Sequence, residues 1–575
     1  MPNRNLATLA TWATLALAIA LNTYLQYPFL ANHGQDWDAI HLYQPLAKGL
    51  LEDGVSFFGE EASVMAPPFS YAWQAMFGAS LEAVRWANLV LSVFTLCLLF
   101  RSAWLLHSRL AGLIAALLFA TCPLLKEFIA APITEGPFIF LCACWFWALC
   151  EWFRGGRRAF VIVAGVALAL AVLTRASLEY WTFIGIVAFG WLALRRHGEE
   201  RRRARGALAA HVIAMMAQAA VIAKNYAIFG IAFVATGAGN ALYQGNHPIT
   251  RGYDADFVGL PSDLMQITRV PYHLYVEPEK RLMTVARGLI RDSDPVSLAE
   301  LHVHKLAAFL FITKAYPGAR NLRSWRVALL ILAAVGFACI RDPWMRWLLA
   351  GILAYQIVSY VPVLYTHRYS ITIDPWLMIA AGVGVAALWA RRRPLEIAAA
   401  AAALVIGVGI ARYLTDHMDA PEPNVFGGAR FLDWQGEPRR IVFDTDHPSI
   451  DVAVRNAPLL HPVNVNVLVL DYALTPAGTD PACGAMRITY QRNNGGASPG
   501  EITARLVPDG RLHRHQFGTL RLDLNAEGTL RMQLDCAKGG SLDIRRIAVY
   551  TPVAGMVYAE RYLGLKPLVR VPVEE

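Results

Sequence analysis

The residues best placed to do chemistry are acids and cations at the edges of long apolar runs. Asp36 and Asp38 follow the first such run, in His33-Gly34-Gln35-Asp36-Trp37-Asp38, and Glu135 directly precedes another, in Thr134-Glu135-Gly136-Pro137-Phe138. A charge at membrane depth is costly, about 2.5–3.5 kcal/mol for Asp at a helix centre and less near the interface, so such acids tend to mark function or pairing. A carboxylate there can take the proton of a hydroxyl acceptor as a general base. Asp36 and Asp38 can equally cap an interfacial helix, and Glu135 can be an acid favoured by a helix N-terminus. Arg85, Arg175, Lys224 and Arg368 lie at the same ends of their runs. Guanidinium groups match phosphate oxygens with paired hydrogen bonds, which suits an anionic lipid headgroup. Each cation alone also reads as a snorkelling interfacial side chain. Asp36, Asp38 and Glu135 have the oxygen ligands to share a divalent cation, whereas His41 and His247 offer no recognisable metal spacing. No P-loop and no dinucleotide fingerprint occurs, so the sequence calls for no soluble cofactor.

The elements that must position these groups are membrane spans. Of 575 residues, 56% are hydrophobic and 17% charged, and mean hydropathy is +0.38. That composition excludes a disordered chain, and eight Cys in this length exclude a small disulfide scaffold. Apolar runs fall at 6–26, 84–105, 109–124, 133–153, 159–174, 181–195, 207–229, 325–340, 343–363, 372–390 and 395–414. Crossing the hydrocarbon takes about 20 residues, and the pattern predicts about eleven spans. The first run lacks a small-residue cleavage site and reads as an anchor rather than a removed signal.

Arginine sets the orientation. Arg101, Arg109, Arg154, Arg157, Arg158, Arg195, Arg196, Arg201, Arg202, Arg203, Arg205, Arg341, Arg346, Arg391, Arg392 and Arg393 fall in alternate loops. The intervening short loops hold only Lys126, Arg175 and Arg368. By the positive-inside rule the first set is cytoplasmic, as is the N-terminus, and an odd span count puts the C-terminus outside. The formal charge of +9 is then topological, and nucleic acid is not a partner. Segments 27–80, 230–322 and the tail from 416 face outward. In the first, Tyr43, Leu46, Ala47, Leu50 and Leu51 keep helical spacing, as expected of a helix in the membrane interface.

After Leu414 the pattern changes to period-two alternation. Leu520, Leu522 and Leu524, a turn at Asn525-Ala526-Glu527-Gly528, then Leu530, Met532 and Leu534 predict a hairpin. Further strands are expected at Val463–Leu470, Met486–Tyr490 and Leu542–Tyr550, and the whole reads as a β-sandwich. The domains are therefore a membrane domain over 1–415 and a β-rich extracytoplasmic domain over 416–575, which either binds glycan or caps the membrane domain. Cys483 and Cys536 are alone in the tail and form a disulfide candidate in an oxidising compartment.

In order along residues 6–415 come Asp38 with Tyr43, Ala66-Pro67-Pro68-Phe69-Ser70-Tyr71 leading to Arg85, and Thr134-Glu135-Gly136-Pro137-Phe138. Leu173-Thr174-Arg175, Lys224-Asn225-Tyr226, Gly245-Asn246-His247-Pro248 and His367-Arg368-Tyr369 follow. This ordered set resembles the integral-membrane glycosyltransferases of the GT-C fold, in the group of protein O-mannosyltransferases and lipid A aminoarabinose transferases. The resemblance implies a polyprenyl-phosphate-linked sugar donor in the outer leaflet of a plasma membrane (a bacterial inner membrane) and a lipid, polysaccharide or protein acceptor. It makes Asp38, or Asp36, the general base and Glu135 the second acid. Arg85, Arg175 and Arg368 become phosphate or pocket cations, and Tyr43, Gly245, Asn246 and Tyr369 line the site. Ala66 stands where the aminoarabinose enzymes carry Lys, so their particular substrate does not carry over. The tail is similar in architecture to that of mycobacterial arabinosyltransferases. A transporter or flippase of a lipid-linked saccharide is the rival class; it predicts inverted repeats and broken helices at midplane, neither of which the sequence shows.

Overall fold

The computed structural model describes residues 2–31, 38–246, 274–293, 295–312, 319–391, 393–417, 439–445, 447–454, 466–478, 483–492, 501–520 and 528–550. Two units emerge. The first comprises Met1–Gly239, Leu274–Lys280 and Leu306–Met418; the second comprises Asn240–His273, Arg281–Lys305 and Asp419–Glu575.

The first unit is a helical bundle, and helices occupy all eleven predicted runs. Among the described residues eight helices are long and apolar enough to cross a membrane, from Thr8–Leu30 to Pro394–Tyr413, and a ninth span results if the bent pair Arg109–Thr121 and Pro123–Ala130 counts as one. The chain is a multi-pass membrane protein. Helices Arg158–Thr174 and Pro343–Tyr360 fall outside that set. The 68° bend follows Cys122, whose successor Pro123 has no N–H to give the preceding turn. Segment 230–322, read as an outer loop, holds helices Ala238–Asn246, Val276–Asp292 and Pro295–Phe311.

Local chemistry marks the helix ends. Ser80 and Ser108 accept from the N–H of Ala83 and Ala111, and Asp342 accepts from Trp344 at 2.9 Å. Gly156 and Gly230 stop Glu135–Gly155 and Gly198–Phe229 with positive φ, 72° and 67°. Helix Ala319–Cys339 crosses Asp374–Arg391 at backbone distance. A Cβ on Gly336 would meet the Ala380 carbonyl oxygen at 1.7 Å, so no larger residue fits without parting the helices.

Buried polar contacts run through this apolar bundle. Arg326 and Asp374 pair at 2.9 Å with no exposed surface on either. Arg326 also donates to the Phe309 and Ser370 carbonyls, at 3.3 Å each. Lys126, expected in an outer loop, is buried and donates to Asn22 at 2.7 Å, and Asn22 donates to Ser92 at 2.9 Å.

The described residues of the second unit form eight strands: β1 (Arg439–Val442), β2 (Ser449–Val454), β3 (Asn466–Thr475), β4 (Ala485–Arg492), β5 (Glu501–Arg505), β6 (His513–Leu520), β7 (Gly528–Asp535) and β8 (Ser541–Tyr550). They form two four-stranded antiparallel sheets, ordered β1-β8-β3-β6 and β2-β7-β4-β5. Alternation is kept: Leu470, Tyr472 and Leu474 are buried while Asp471 and Ala473 are less so. The expected strands Met486–Tyr490 and Leu542–Tyr550 fall within β4 and β8, and Val463–Leu470 overlaps β3 from Asn466 onward, its first three residues lying outside the described residues. The predicted hairpin, however, does not form. Leu520 ends β6, which pairs with β3, whereas Leu530, Met532 and Leu534 lie in β7, which pairs with β2 and β4. Leu522, Leu524 and the turn lie outside the described residues. Period-two alternation identifies a half-buried strand but not its partner, and here the chain changes sheets between the two strands.

Cys483 and Cys536 are disulfide-bonded across 53 residues of chain, ahead of β4 and after β7. Closing a loop of that length restricts the unfolded chain by about 2–4 kcal/mol. The Cys483→Ser/Cys536→Ser variant is expected to lose that much stability in the β-rich unit. Limited proteolysis would reveal it as faster cleavage after residue 439 with cleavage of the helical bundle unchanged.

Candidate active site

Four chain segments converge at one end of the helical bundle. Glu135 opens helix Glu135–Gly155, Arg175 follows the last residue of Arg158–Thr174, and Arg368 sits in the short turn His367–Ser370. Asp38 precedes the wide turn Ala39–Tyr43 that leads into helix Gln44–Asp53. The Asp38 carboxylate makes no capping hydrogen bond to that turn. It pairs instead with Arg368 Nη1, whose Nε engages Glu135 Oε1. Arg368 Nη2 lies 3.3 Å from Glu135 Oε2, and Arg175 Nη1 donates to Glu135 Oε1 at 2.8 Å. One guanidinium thus bridges two carboxylates, and the inner carboxylate holds two guanidiniums.

Exposure separates the two acids. The Glu135 side chain has no accessible surface, Arg175 has 10%, Arg368 19% and Asp38 32%. A carboxylate as buried as Glu135 stays in place when its lone pairs are satisfied by cations, which two arginines do. Asp38 has one such partner and reaches solvent.

Aromatic rings wall the cluster. Arg175 lies over Tyr369 at 5.2 Å, Phe138 at 5.5 Å and Tyr360 at 5.9 Å. Tyr360 and Tyr369 stack at 5.0 Å, and the Tyr360 hydroxyl donates to Ser177 Oγ at 2.9 Å. Tyr43 is buried against the same charges. Burial pushes its phenol up to about 12, with Asp38 and Glu135 acting in the same sense and Arg368 and Arg175 opposing. Tyr43 therefore remains a neutral hydroxyl throughout the physiological range.

Other expected site residues have other partners. Arg85 is buried and donates to the Leu30 carbonyl at 2.9 Å, tying the end of the first helix to Leu81–Leu106. Lys224 holds the first outer segment, donating to the Phe58 carbonyl at 3.2 Å and lying over Phe229 at 5.3 Å. Gly245 and Asn246 belong to the second unit. There the Gly245 carbonyl accepts from the buried Lys305 at 2.8 Å, and Asn246 bonds back to Leu242 of its own helix. Asp36 and His247 lie outside the described residues, and His41 is exposed. Among the described residues no group of three or more His, Cys, Asp and Glu side chains could hold a metal, and the space between Asp38 and Glu135 is taken by Arg368. Sequence reasoning missed Tyr360 and the Arg326–Asp374 pair that fixes the turn behind Arg368. A clue existed in Asp374, an acid beside Pro375 at the start of an apolar run.

Replacing Glu135 with Ala leaves Arg175 and Arg368 facing each other without their shared anion. Removing one partner of a buried pair typically costs about 3–5 kcal/mol, so thermal unfolding in detergent should show a clear loss for Glu135→Ala and a smaller one for Glu135→Gln. Tyr43 gives a second prediction. Its phenol is raised on folding, so the unfolded chain loses that proton first. Stability contributed by Tyr43 is complete below about pH 10 and falls as pH rises toward 12. The slope of stability against pH in that window should be shallower in Tyr43→Phe.

Residues 63–223 match the family described as dolichyl-phosphate-mannose-protein mannosyltransferase. No curated protein matches the chain in sequence. Among solved structures it is similar to the oligosaccharyltransferase AglB of Archaeoglobus fulgidus, solved with an inhibitory peptide and a dolichol-phosphate, at 13% identity and TM-score 0.43. That likeness covers 72% of this chain and 57% of that one, so the chain spans little more than half of AglB. It is also similar to the arabinosyltransferase EmbB of Mycobacterium smegmatis, at 11% identity and TM-score 0.29, over 96% of this chain and 65% of that one. The family match contains Arg85, Glu135 and Arg175, while Asp38 and Arg368 lie outside it. The matched residues 63–223 thus supply two of the four clustered side chains, Glu135 and Arg175.

Proposed function

We propose that the chain is a membrane glycosyltransferase that moves a sugar from a polyprenyl-phosphate-linked donor to a hydroxyl of a lipid, polysaccharide or protein acceptor at the outer face of the membrane. The observation that carries this reading is the bridge of Arg368 between Asp38 and Glu135, with Arg175 on Glu135. The family match over residues 63–223 supports the same reaction class and a lipid-linked donor.

Each group has a distinct task. Asp38, the more exposed of the two acids, accepts the proton of the acceptor hydroxyl as that oxygen bonds to the anomeric carbon. The bond from that carbon to the phosphate oxygen breaks, and its electron pair leaves with polyprenyl phosphate. This leaving group is stable as an anion, so it needs cations more than a proton, and Arg368 and Arg175 supply them. Glu135 acts on the arginines rather than on the sugar, holding both guanidiniums at fixed positions. The two carboxylates and the two guanidiniums balance in charge. A donor phosphate therefore competes with Asp38 for Arg368, and binding it releases the Asp38 carboxylate for the acceptor. Tyr43, kept neutral, is a hydroxyl donor beside the same phosphate.

The test is release of free polyprenyl phosphate by the purified chain in lipid, run over a panel of polyprenyl-phosphate sugars with a hydroxyl acceptor present. Asp38→Asn is expected to lower turnover by about 10²–10⁴, the usual contribution of a general base, with donor affinity retained or improved. Arg368→Gln should weaken donor binding as well as turnover. Full turnover in Asp38→Asn would overturn the assignment of the base, and a chain that binds no donor in the panel would overturn the reaction class.

A further inference from the structure

A cavity of about 530 Å³ opens at the opposite end of the helical bundle from the acid–arginine cluster, between helices Arg158–Thr174 and Gly198–Phe229. Helix Glu135–Gly155 connects the two ends. It begins at Glu135 and reaches the cavity wall at Trp152, about 26 Å further along its axis at the usual helical rise. The cavity therefore lies at the headgroup level of the other membrane surface.

Its walls combine two chemistries. Val161, Ile162 and Ile213 are apolar, whereas Arg158, Arg201 and Arg205 come from the first turns of their two helices. Among the described residues none of these three arginines has a carboxylate within ion-pair distance, and Arg201 Nε is buried without a hydrogen-bond partner. Arg202 is differently placed: it bonds to Glu199 at 2.7 Å and lies over the Trp152 ring at 4.7 Å. The backbone makes room for this wall. A Cβ on Gly206 would stand 2.1 Å from the Trp152 ring, so glycine lets the indole lie flat against helix Gly198–Phe229.

From this we infer a binding site for an anionic glycerophospholipid, with its phosphate among Arg158, Arg201 and Arg205 and an acyl chain along Val161 and Ile162. Unneutralised arginines beside an apolar slot between membrane helices fit a headgroup and chain together. A free phosphate would satisfy the arginines but leave the apolar wall to water. Half-exposed Ile162 and Val166 continue that wall along the outer face of their helix, giving the chain a path beyond the cavity.

The full chain in detergent would be titrated with phosphatidylglycerol and with phosphatidylcholine, and bound lipid counted by native mass spectrometry. Phosphatidylglycerol should bind about tenfold more tightly, from the attraction of several basic side chains. In Arg201→Gln/Arg205→Gln the preference should fall to within about twofold. Ala209→Trp, which fills the cavity and keeps every arginine, should lose tight binding of either lipid. Equal affinity for the two lipids in the unaltered chain would overturn the inference, and so would a preference that survives either variant. Glycerol phosphate displacing phosphatidylglycerol at equal concentration would also overturn it, since the acyl chain would then contribute nothing.

Discussion

Glu135 is a carboxylate with no exposed surface at the head of an apolar helix, and the geometry around it follows from the need to neutralise it. Desolvating a carboxylate costs several kcal/mol, which cations repay only at close range and with good geometry. Two guanidiniums meet that demand. One comes from the end of helix Arg158–Thr174 and the other from the turn His367–Ser370, far apart in sequence. Because both must reach Glu135, the helix ends that carry them converge. Because Arg368 has donors to spare, it also recruits Asp38 from the first outer segment.

The turn that carries Arg368 is itself held from behind. Arg326, fully buried, pairs with Asp374 and donates to the Ser370 carbonyl, so helix Ala319–Cys339 grips both sides of the turn. The close approach of that helix to Asp374–Arg391 at Gly336 leaves little freedom for the grip to loosen. Two buried ion pairs in series thus lead from the bundle core to the site. The outer one is partly solvated where it meets Asp38; the inner one is dry.

Much of this was legible in the sequence, though not evenly. Each of the eleven apolar runs proved helical, because burial in lipid depends on composition along one segment, whereas the short helices Pro68–Ala75 and His367–Ser370 lie outside those runs. The acids and arginines of the cluster also stood out, since charge beside such runs is costly and therefore informative. Their pairing was not legible. Arg85, Arg175, Lys224 and Arg368 look alike as cations at helix ends, yet Arg85 binds the Leu30 carbonyl and Lys224 the Phe58 carbonyl, while only the other two meet Glu135. Partner choice is set by how distant helices pack, which one-dimensional spacing does not encode. The same limit produced the false hairpin: Leu520 and Leu530 were correctly placed in strands, but strand partners are a property of the whole sheet.

Division of labour between the two acids follows from their surroundings more than from their positions in the chain. A general base must give up its resting partner when the acceptor arrives, and it must be reachable. Glu135 fails on both counts: two guanidiniums hold it, and the aromatic wall of Phe138, Tyr360 and Tyr369 lies over Arg175 beside it. Asp38 is held by a single guanidinium and is a third exposed. A phosphate entering the cluster adds negative charge next to Arg368, and the guanidinium can turn its Nη1 from Asp38 to the newcomer without leaving Glu135, which it contacts through Nε and Nη2. In the proposed reaction the arginine that pairs with Asp38 is therefore also the one that meets the donor phosphate, so donor binding and release of the base are one event.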